Sequence, residues 1–301
     1  MELVNGIYPT MLVTYNKDGT LDLGAQGALL DWYLENGIHG LFALCHSTES
    51  HWLTWKERIE LAIFVRDKIN GRIPVVYSGI TAEDIGEQLE QAKEIQALGA
   101  DAVVFLRNRL GADTDSFMRN LDKICAALPD GTPLGMYECP YPYKQHLTDE
   151  EFTAVVNTGR FRFLKDTVCD RAVMRRRKEI RDRTDPSFHL YNANCATLLE
   201  SLRFGYNGFS GIMANFHPDL YVWMYEHSDD PRADVIDKYL GMTSVIEMRC
   251  YPICAKRYLK KYEHIDMTDV CRSVKDETVD ALWSELEDLY QLTQIARALV
   301  R

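Results

Sequence analysis

The 301-residue sequence lacks the features that define several common classes of protein. No stretch approaches about 18 uncharged apolar residues, so no transmembrane helix is expected. The opening segment, MELVNGIYPTMLVTY, has no basic region before a long apolar run, so no secretory signal is expected. Acidic residues outnumber basic ones, and the net charge of −11 argues against a general nucleic-acid binder, because phosphate contacts need a basic face.

Paired cysteines and recognisable metal motifs are also missing. The eight cysteines are scattered and form no CxxC motif, and only Cys250 and Cys254 stand close together. We therefore expect a reduced, cytoplasmic protein whose thiols are mostly buried and inert, without a disulfide framework. The eight histidines show neither HxH nor HExxH spacing, so the sequence gives little support for a bound metal ion.

The sequence contains apolar runs that alternate with segments of helical spacing, and 46% of its residues are apolar, as in a globular protein. Eight of these runs are predicted strands: Gly6–Thr14, Gly40–Leu44, Pro74–Ser78, Ala102–Leu106, Leu134–Tyr137, Phe161–Lys165, Phe188–Tyr191 and Gly208–Gly211. Eight βα units predict a (β/α)8 TIM barrel, with reactive groups at the carboxyl ends of the strands. An open doubly wound sheet is less favoured, because no Gly-rich dinucleotide fingerprint follows the first strand.

Capping residues mark the starts of several helices. Thr54 and Thr148 each precede a glutamate by three residues, which is the pattern of a capping box, and Thr81–Asp84 has a similar form. After about residue 230 the strand patterns stop, and helices are predicted at Ala233–Glu247, Ala255–Tyr262 and Val274–Leu299. We expect a barrel with the active site over residues 1–230 and a helical lobe packed on it over residues 231–301.

Reactive side chains stand at three predicted strand ends. Lys165 ends the sixth strand, where burial would lower the pKa of its amine and allow a Schiff base; a snorkelling or salt-bridged lysine is the alternative. Tyr137 ends the neighbouring fifth strand and is either a proton shuttle or an aromatic residue of the barrel wall. After the second strand, Ser47, Thr48 and backbone N–H groups suit an anion such as a carboxylate, although such residues often serve only turns and caps.

A basic segment at residues 171–183 carries seven Arg and Lys residues. Acidic residues are interspersed with them, and the segment falls on a predicted outer helix of the barrel. These features favour a solvated helix face or a subunit contact over a site for nucleic acid.

Together these strand ends resemble the dihydrodipicolinate synthase and N-acetylneuraminate lyase family. Gly6–Thr10 is similar to its opening strand, Tyr137–Pro140 to its Y-N-x-P motif and Leu164–Asp166 to its I-K-D motif. The interval of 28 residues between Tyr137 and Lys165 is also that of the family. Further similar segments are Leu53–Arg58, Gly205–Gly208 and Ala214–Pro218, so the resemblance covers nearly the whole chain.

The resemblance implies a Schiff-base lyase on a TIM barrel with a C-terminal helical extension, acting on a 2-oxo acid such as pyruvate without an external cofactor. Lys165 would form the Schiff base and Tyr137 would relay protons, with His46 as a further candidate. The residues expected to bind the substrate are Ser47, Thr48, Ser210 and Asn108. The family resemblance also implies a homotetramer or a homodimer.

The sequence departs from the family pattern in three places. Cys45–Glu49 replaces the loop G-[ST]-[ST]-G-E, so both glycines are lost and the shape of the anion site is expected to differ. His46 replaces a hydroxyl residue and is either an acid or base or a hydrogen-bond partner of Tyr137. Arg107–Arg109 stands where the synthase has a tyrosine that reaches the neighbouring subunit, and Pro142 stands where it has an arginine for a distal carboxylate. We therefore expect an aldolase or dehydratase rather than dihydrodipicolinate synthesis.

Two groups of side chains are candidates for contact with the rest of the substrate. A polar or anionic tail would be bound by Arg107, Arg109, Lys144 and His146. An apolar pocket would be lined by Tyr141, Tyr143 and Trp52. Two other classes stay open: a non-catalytic family member that binds a small oxo acid as a sensor, and a metal-dependent aldolase that a chelator would inactivate.

Overall fold

The computed structural model describes residues 1–275 and 280–301, which form a (β/α)8 barrel followed by three helices. Strands β1–β8 span Gly6–Ile7, Leu41–Ala43, Val75–Tyr77, Ala102–Leu106, Leu134–Tyr137, Phe161–Asp166, His189–Asn192 and Gly208–Phe209. Helices α1–α11 span Leu23–Glu35, Trp55–Ile69, Ile85–Ala97, Thr114–Ala127, Asp149–Asn157, Arg171–Thr184, Leu198–Arg203, Pro218–Glu226, Ala233–Thr243, Ile253–Tyr262 and Asp280–Val300.

The eight strands are parallel and lie in the order β1-β8-β7-β6-β5-β4-β3-β2. The remaining seam, between β1 and β2, is bridged by backbone hydrogen bonds. The N–H groups of His39 and Gly40 donate to the Ile7 carbonyl, and that of Phe42 donates to the Pro9 carbonyl. The predicted TIM barrel is therefore confirmed, and its carboxyl-terminal strand ends meet at one mouth.

All eight predicted strands are present, but β1, β2, β3 and β8 are shorter than predicted, and β1 is shortened most. Strand β1 ends at Ile7 because the following residues change partner, from Phe209 of β8 to Phe42 of β2. Strand β8 ends at Phe209, and a turn of 3₁₀ helix over Ile212–Asn215 follows it. Both departures bring loop residues, rather than strand residues, to the mouth of the barrel.

The capping boxes predicted at Thr54 and Thr148 are confirmed at the starts of α2 and α5. The prediction of a cap at Thr81 is wrong, because the carboxylate of Asp84 accepts the N–H of Glu87 and starts α3 one turn later. The Thr81 hydroxyl instead accepts a hydrogen bond at 2.7 Å from an arginine of α2.

The C-terminal helices follow the predicted pattern with different bounds. The segment predicted as Ala233–Glu247 divides into α9 and a 3₁₀ turn, and α10 begins two residues before its predicted start. Part of the third predicted helix, residues 276–279, lies outside the described residues, and Val274 lies in a bend.

None of the described helices combines the length and apolarity needed to cross a membrane. All eight cysteines are free, and of them only Cys169 is exposed.

A buried arginine joins the ends of β5 and β6. Because side chains alternate along a strand, Tyr137 and Lys165 face the barrel interior, whereas Glu138 and Asp166 face helix α6. The Arg177 side chain of α6 places Nη1 2.7 Å from Asp166 Oδ1 and 3.2 Å from Glu138 Oε2. All three charged side chains are at most 1% exposed. This arrangement, the Arg177 clamp, fixes the two strand ends side by side.

The interpretation of residues 171–183 as a solvated face is wrong for Arg177 and Arg181, which are 0% and 6% exposed. Arg177 turns inward because it compensates two buried carboxylates, and Arg181 binds the Asn207 side chain and the Gly205 carbonyl. Other arginines of the segment do lie on the surface, where Arg176 pairs with Asp149.

We predict that Arg177→Met destabilises the fold by about 3–5 kcal/mol, because it leaves two buried carboxylates without their cation. Arg176→Met is the matched control, one residue away on the same helix. Its partner is half-exposed, so the loss is expected to stay below about 1 kcal/mol. Urea denaturation followed by circular dichroism measures both values. Equal midpoints for the two variants would contradict the role of the Arg177 clamp.

Candidate active site

The Lys165 amine lies inside the barrel against two aromatic rings. Its Nζ is 4.3 Å from the ring centre of Tyr137 and 4.7 Å from that of Phe42, and the residue is 4% exposed. Burial lowers the pKa of this amine to about 8, an effect that the nearby thiols of Cys45 and Cys139 oppose. Among the described residues, no carboxylate forms an ion pair with Lys165. The alternative of a salt-bridged lysine is therefore wrong for these residues.

Tyr137 is the direct neighbour of Lys165 in the barrel, since the register of β5 and β6 pairs the two residues. Its hydroxyl interacts with the nearby Cys139 thiol. Burial, together with that thiol, raises the pKa of Tyr137 well above its usual range. The phenol is therefore protonated at neutral pH and can donate a proton beside the Lys165 amine.

The loop after β2 keeps ordinary backbone angles at the two positions where the family has glycine. Positive φ angles fall on Leu44 (50°) and Glu49 (56°), and not on Cys45 or Thr48. The Thr48 hydroxyl donates to the Met11 carbonyl at 2.6 Å and accepts the Cys45 N–H at 3.2 Å. Side-chain hydrogen bonds thus fix this loop without glycine.

Two backbone N–H groups of this loop are available to a ligand. The N–H groups of Thr48, Glu49 and Ser50 donate to carbonyls within the loop, at 2.9–3.4 Å. Those of His46 and Ser47 have no hydrogen-bond partner among residues 1–275 and 280–301. Together with the Ser47 hydroxyl they form a candidate anion site, in a loop whose His46 side chain interacts electrostatically with Lys165.

The Ser47 hydroxyl lies at the end of a chain of hydrogen bonds. It donates to Thr10 Oγ1 at 3.0 Å and accepts from the Tyr251 hydroxyl at 2.8 Å. Tyr251 precedes α10, so the C-terminal part of the chain reaches the candidate anion site. Asn215, after β8, donates in turn to the Tyr251 oxygen at 3.0 Å.

The same loop is also held at its far end by the C-terminal part of the chain. Glu49 is fully buried, and its carboxylate accepts the N–H groups of Arg272 and Ser273 at 2.8 and 2.6 Å. Lys256 of α10 lies 3.5 Å from the other carboxylate oxygen. These contacts compensate the buried charge of Glu49 and fix the loop against the helices.

Four rings pack together at the mouth, and we name them the aromatic cluster: His46, His51, Trp52 and Tyr141. His46 stacks on Tyr141 with ring centres 5.3 Å apart, and no hydrogen bond joins it to Tyr137 within the described chain. Burial lowers the pKa of His46, with Lys165 adding to the effect, and lowers that of His51 to about 3. Both imidazoles are therefore neutral at pH 7. The described residues offer no third ligand that would make a metal site of this pair.

Two predicted substrate-binding residues, Asn108 and Ser210, differ in their contacts. Asn108 donates through Nδ2 to the carbonyls of Cys139, Tyr141 and Tyr143, at 2.7–3.0 Å, and so shapes the loop after β5. Ser210 lies next to Lys165 at a small internal gap, and its buried hydroxyl has no partner among the described residues. Ser210 thus has a free polar group near the amine, whereas Asn108 acts on the backbone.

The residues predicted to contact the substrate tail have different partners in the structure. The prediction that Arg107 binds an anionic tail is wrong, because its guanidinium binds Glu151 through two hydrogen bonds in a buried pair. Arg109 pairs with Glu83 at 2.9 Å, while Lys144 is exposed. Trp52 and Tyr141 belong to the aromatic cluster as one candidate set suggested, but the Tyr143 hydroxyl turns away to bind a backbone carbonyl.

The sequence matches a known protein family over most of its length. Residues 3–273 match the model of the dihydrodipicolinate synthetase family. The chain belongs to this family. It is 28% identical over 228 residues to the probable 2-dehydro-3-deoxy-D-pentonate aldolase YjhH of Escherichia coli, covering 75% of this chain and 74% of the relative. It is 25% identical over 225 residues to the 4-hydroxy-tetrahydrodipicolinate synthase of Cellvibrio japonicus, with coverages of 74% and 76%.

A solved structure of the same family agrees with the fold. The Escherichia coli K12 prophage protein YagE, determined in complex with pyruvate, superposes with a TM-score of 0.84 at 21% identity. The alignment covers 98% of this chain and 99% of YagE. The likeness extends across both the barrel and the C-terminal helices, which confirms the predicted architecture.

Three residues around the site were not predicted from the sequence: Glu138, Arg177 and Tyr251. Glu138 follows Tyr137, so strand alternation places a carboxylate outside the barrel wall, and a buried carboxylate requires a cation. That reasoning could have indicated an arginine partner but not which one. Tyr251 stands in no motif and at no strand end, and no sequence pattern marks it.

We predict that the reactivity of Lys165 rises with pH through about pH 8. The amine is protonated below its pKa, so the neutral fraction grows from about a tenth at pH 7 to about half at pH 8. Acetylation by a small anhydride, followed peptide by peptide by mass spectrometry, measures this profile. Exposed lysines, with an ordinary pKa of about 10.4, provide the internal control. A Lys165 profile that coincides with theirs would contradict the assigned pKa.

Proposed function

We propose that this protein is a Schiff-base-forming lyase, an aldolase or dehydratase, which acts on a 2-oxo acid through Lys165. The observation that carries the proposal is the pairing of Lys165 with Tyr137 inside the barrel. The lysine is buried, has a lowered pKa and has no carboxylate partner among the described residues. A neutral amine at pH 7–8 is the nucleophile that such a mechanism needs.

The proposed reaction begins when the neutral amine adds to the keto carbon of the substrate. Tyr137 supplies a proton, the keto oxygen leaves as water, and a protonated C=N bond remains on Lys165. For an aldol substrate, the phenolate left on Tyr137 takes the C4 hydroxyl proton and is restored to the phenol. The C3–C4 bond then breaks, and its electron pair moves into the C=N group. The released aldehyde leaves an enamine, which takes a proton at C3 and is hydrolysed to pyruvate and free Lys165.

A dehydratase would use the same intermediate. Removal of a proton from C3 and departure of the C4 hydroxyl group, which leaves as water after protonation, would give an unsaturated product. In both reactions we assign the substrate carboxylate to the N–H groups of His46 and Ser47 and to the Ser47 hydroxyl. Thr48 then fixes the loop, Asn108 shapes the loop after β5, and Ser210 offers a polar group at the floor.

The residues at the mouth of the barrel are better suited to a substrate with a neutral tail than to one with a second carboxylate. Pro142 replaces the arginine expected in the synthase, and Arg107 is bound to Glu151. The aromatic cluster presents neutral imidazoles, with Nδ1 of His46 and both nitrogens of His51 free of hydrogen bonds in the described chain. An aldolase or dehydratase is therefore favoured over condensation of the dihydrodipicolinate synthase type.

A non-catalytic 2-oxo-acid binder is the other class considered. The loss of both loop glycines at Cys45 and Thr48 supported that class. These positions have no positive φ, so the loop does not require glycine there. That support therefore falls away, and the paired Lys165 and Tyr137 favour catalysis.

We predict that pyruvate and borohydride together add one reduced pyruvyl group to the wild-type protein. The reduction traps the C=N bond on Lys165, so peptide mapping is expected to place the added mass there. Lys165→Ala should show no addition. Lys256, which is also buried but lies near Glu49, should stay unmodified in the same digest. A folded wild-type protein that gains no mass with pyruvate or with longer 2-oxo acids would contradict the proposed function.

A further inference from the structure

Four hydroxyl groups and one amide form a continuous network around the candidate anion site. They come from distant parts of the chain: Thr10 after β1, Tyr33 in α1, Ser47 after β2, Asn215 after β8 and Tyr251 before α10. Except for Tyr251, which is partly exposed, all of these residues are buried, with at most 4% exposure. The family motifs discussed above do not include Tyr251.

The orientation of the Asn215 amide follows from its partners. One of its neighbours is the Thr10 carbonyl, which can only accept, so the amide nitrogen must face it, at 2.9 Å. The amide oxygen then accepts the hydroxyl proton of Tyr33. The second N–H of the amide points to the Tyr251 oxygen at 3.0 Å. The amide is thus fixed as a donor to Tyr251.

The proton directions in the rest of the network follow from this assignment. The Tyr251 oxygen accepts from Asn215, and its own proton has the Ser47 oxygen as acceptor at 2.8 Å. Burial raises the pKa of Tyr251 well above its usual range, so that proton is retained. The Ser47 oxygen accepts this hydrogen bond, and the Ser47 hydroxyl donates its own proton to Thr10 Oγ1 at 3.0 Å. Each group therefore donates in one direction, toward Ser47 and Thr10.

We propose that Tyr251 is a positioning residue that fixes the Ser47 hydroxyl as a hydrogen-bond donor toward a carboxylate, so that the site prefers 2-oxo acids to their uncharged analogues. The inference rests on the proposed function, because it places the carboxylate of the Lys165-bound substrate at Ser47. It assigns a binding role to the segment before α10, outside the barrel.

The preference for an acid follows from the direction of the hydrogen bonds that lead to Ser47. The Ser47 proton is directed at the neutral Thr10 hydroxyl, and a carboxylate oxygen is a stronger acceptor for the same proton. Donation from Asn215 to Tyr251 and from Tyr251 to Ser47 polarises each successive O–H bond. The N–H groups of His46 and Ser47, which have no partner among the described residues, complete this set of donors. An ester, which carries no charge, gains less from such a set.

The test compares Tyr251→Phe with the wild type in borohydride trapping of pyruvate and of methyl pyruvate. The variant keeps the ring and removes only the hydroxyl that donates to Ser47. We expect the pyruvate concentration for half-maximal trapping to rise by roughly three- to tenfold, and that for methyl pyruvate to change little. Tyr239→Phe is the matched control, since it removes a tyrosine hydroxyl of α9 that binds Thr293 instead. The Tyr239→Phe variant is expected to prefer pyruvate to methyl pyruvate as strongly as the wild type does.

A second variant distinguishes the effect of these directed hydrogen bonds from a general loss of structure. Thr10→Val removes the hydroxyl that accepts the hydrogen bond of Ser47. Pyruvate should therefore bind more tightly, which is the opposite of the effect expected for Tyr251→Phe. The proposal is overturned if Tyr251→Phe leaves the acid preference unchanged, or if both variants weaken the acid and the ester equally. Failure of the proposed function is distinct, because wild-type protein would then give no adduct on Lys165.

Discussion

The interaction of Arg177 with Glu138 and Asp166 fixes the geometry on which the rest of the site depends. Separating the arginine from these buried carboxylates would leave uncompensated charge, so the ends of β5 and β6 are held in one register. On the opposite face of the same strands, this register places the Lys165 amine 4.3 Å from the Tyr137 ring. A slip of one residue in either strand would turn the side chain on that strand, Tyr137 or Lys165, out of the barrel.

A second constraint comes from the C-terminal part of the chain, which contacts the loop after β2 at two points. Tyr251 binds Ser47, and the buried Glu49 accepts N–H groups of residues 272 and 273. The segments on either side of α10 therefore hold the loop to which we assign the substrate carboxylate. The homotetramer or homodimer that the family resemblance implies stays a prediction.

Local patterns predicted the fold and pointed to two candidate site residues, but they could not predict long-range pairing. Strand periodicity and caps depend on neighbouring residues, so the eight strands could be located, and the ends of β5 and β6 gave Tyr137 and Lys165 as candidates. The burial of Arg177 depends on carboxylates 39 and 11 residues earlier in the chain, which no periodicity indicates. The same applies to Arg107, whose partner Glu151 turns it away from the mouth.

The most direct test of the account is a crystal structure of the wild-type protein grown with pyruvate. The account predicts continuous density from the Lys165 Nζ to C2 of pyruvate, with a carboxylate oxygen within hydrogen-bond distance of the Ser47 hydroxyl. The second carboxylate oxygen should face the N–H groups of His46 and Ser47. Pyruvate bound without a covalent link, or linked with its carboxylate pointing toward the aromatic cluster, would contradict the account.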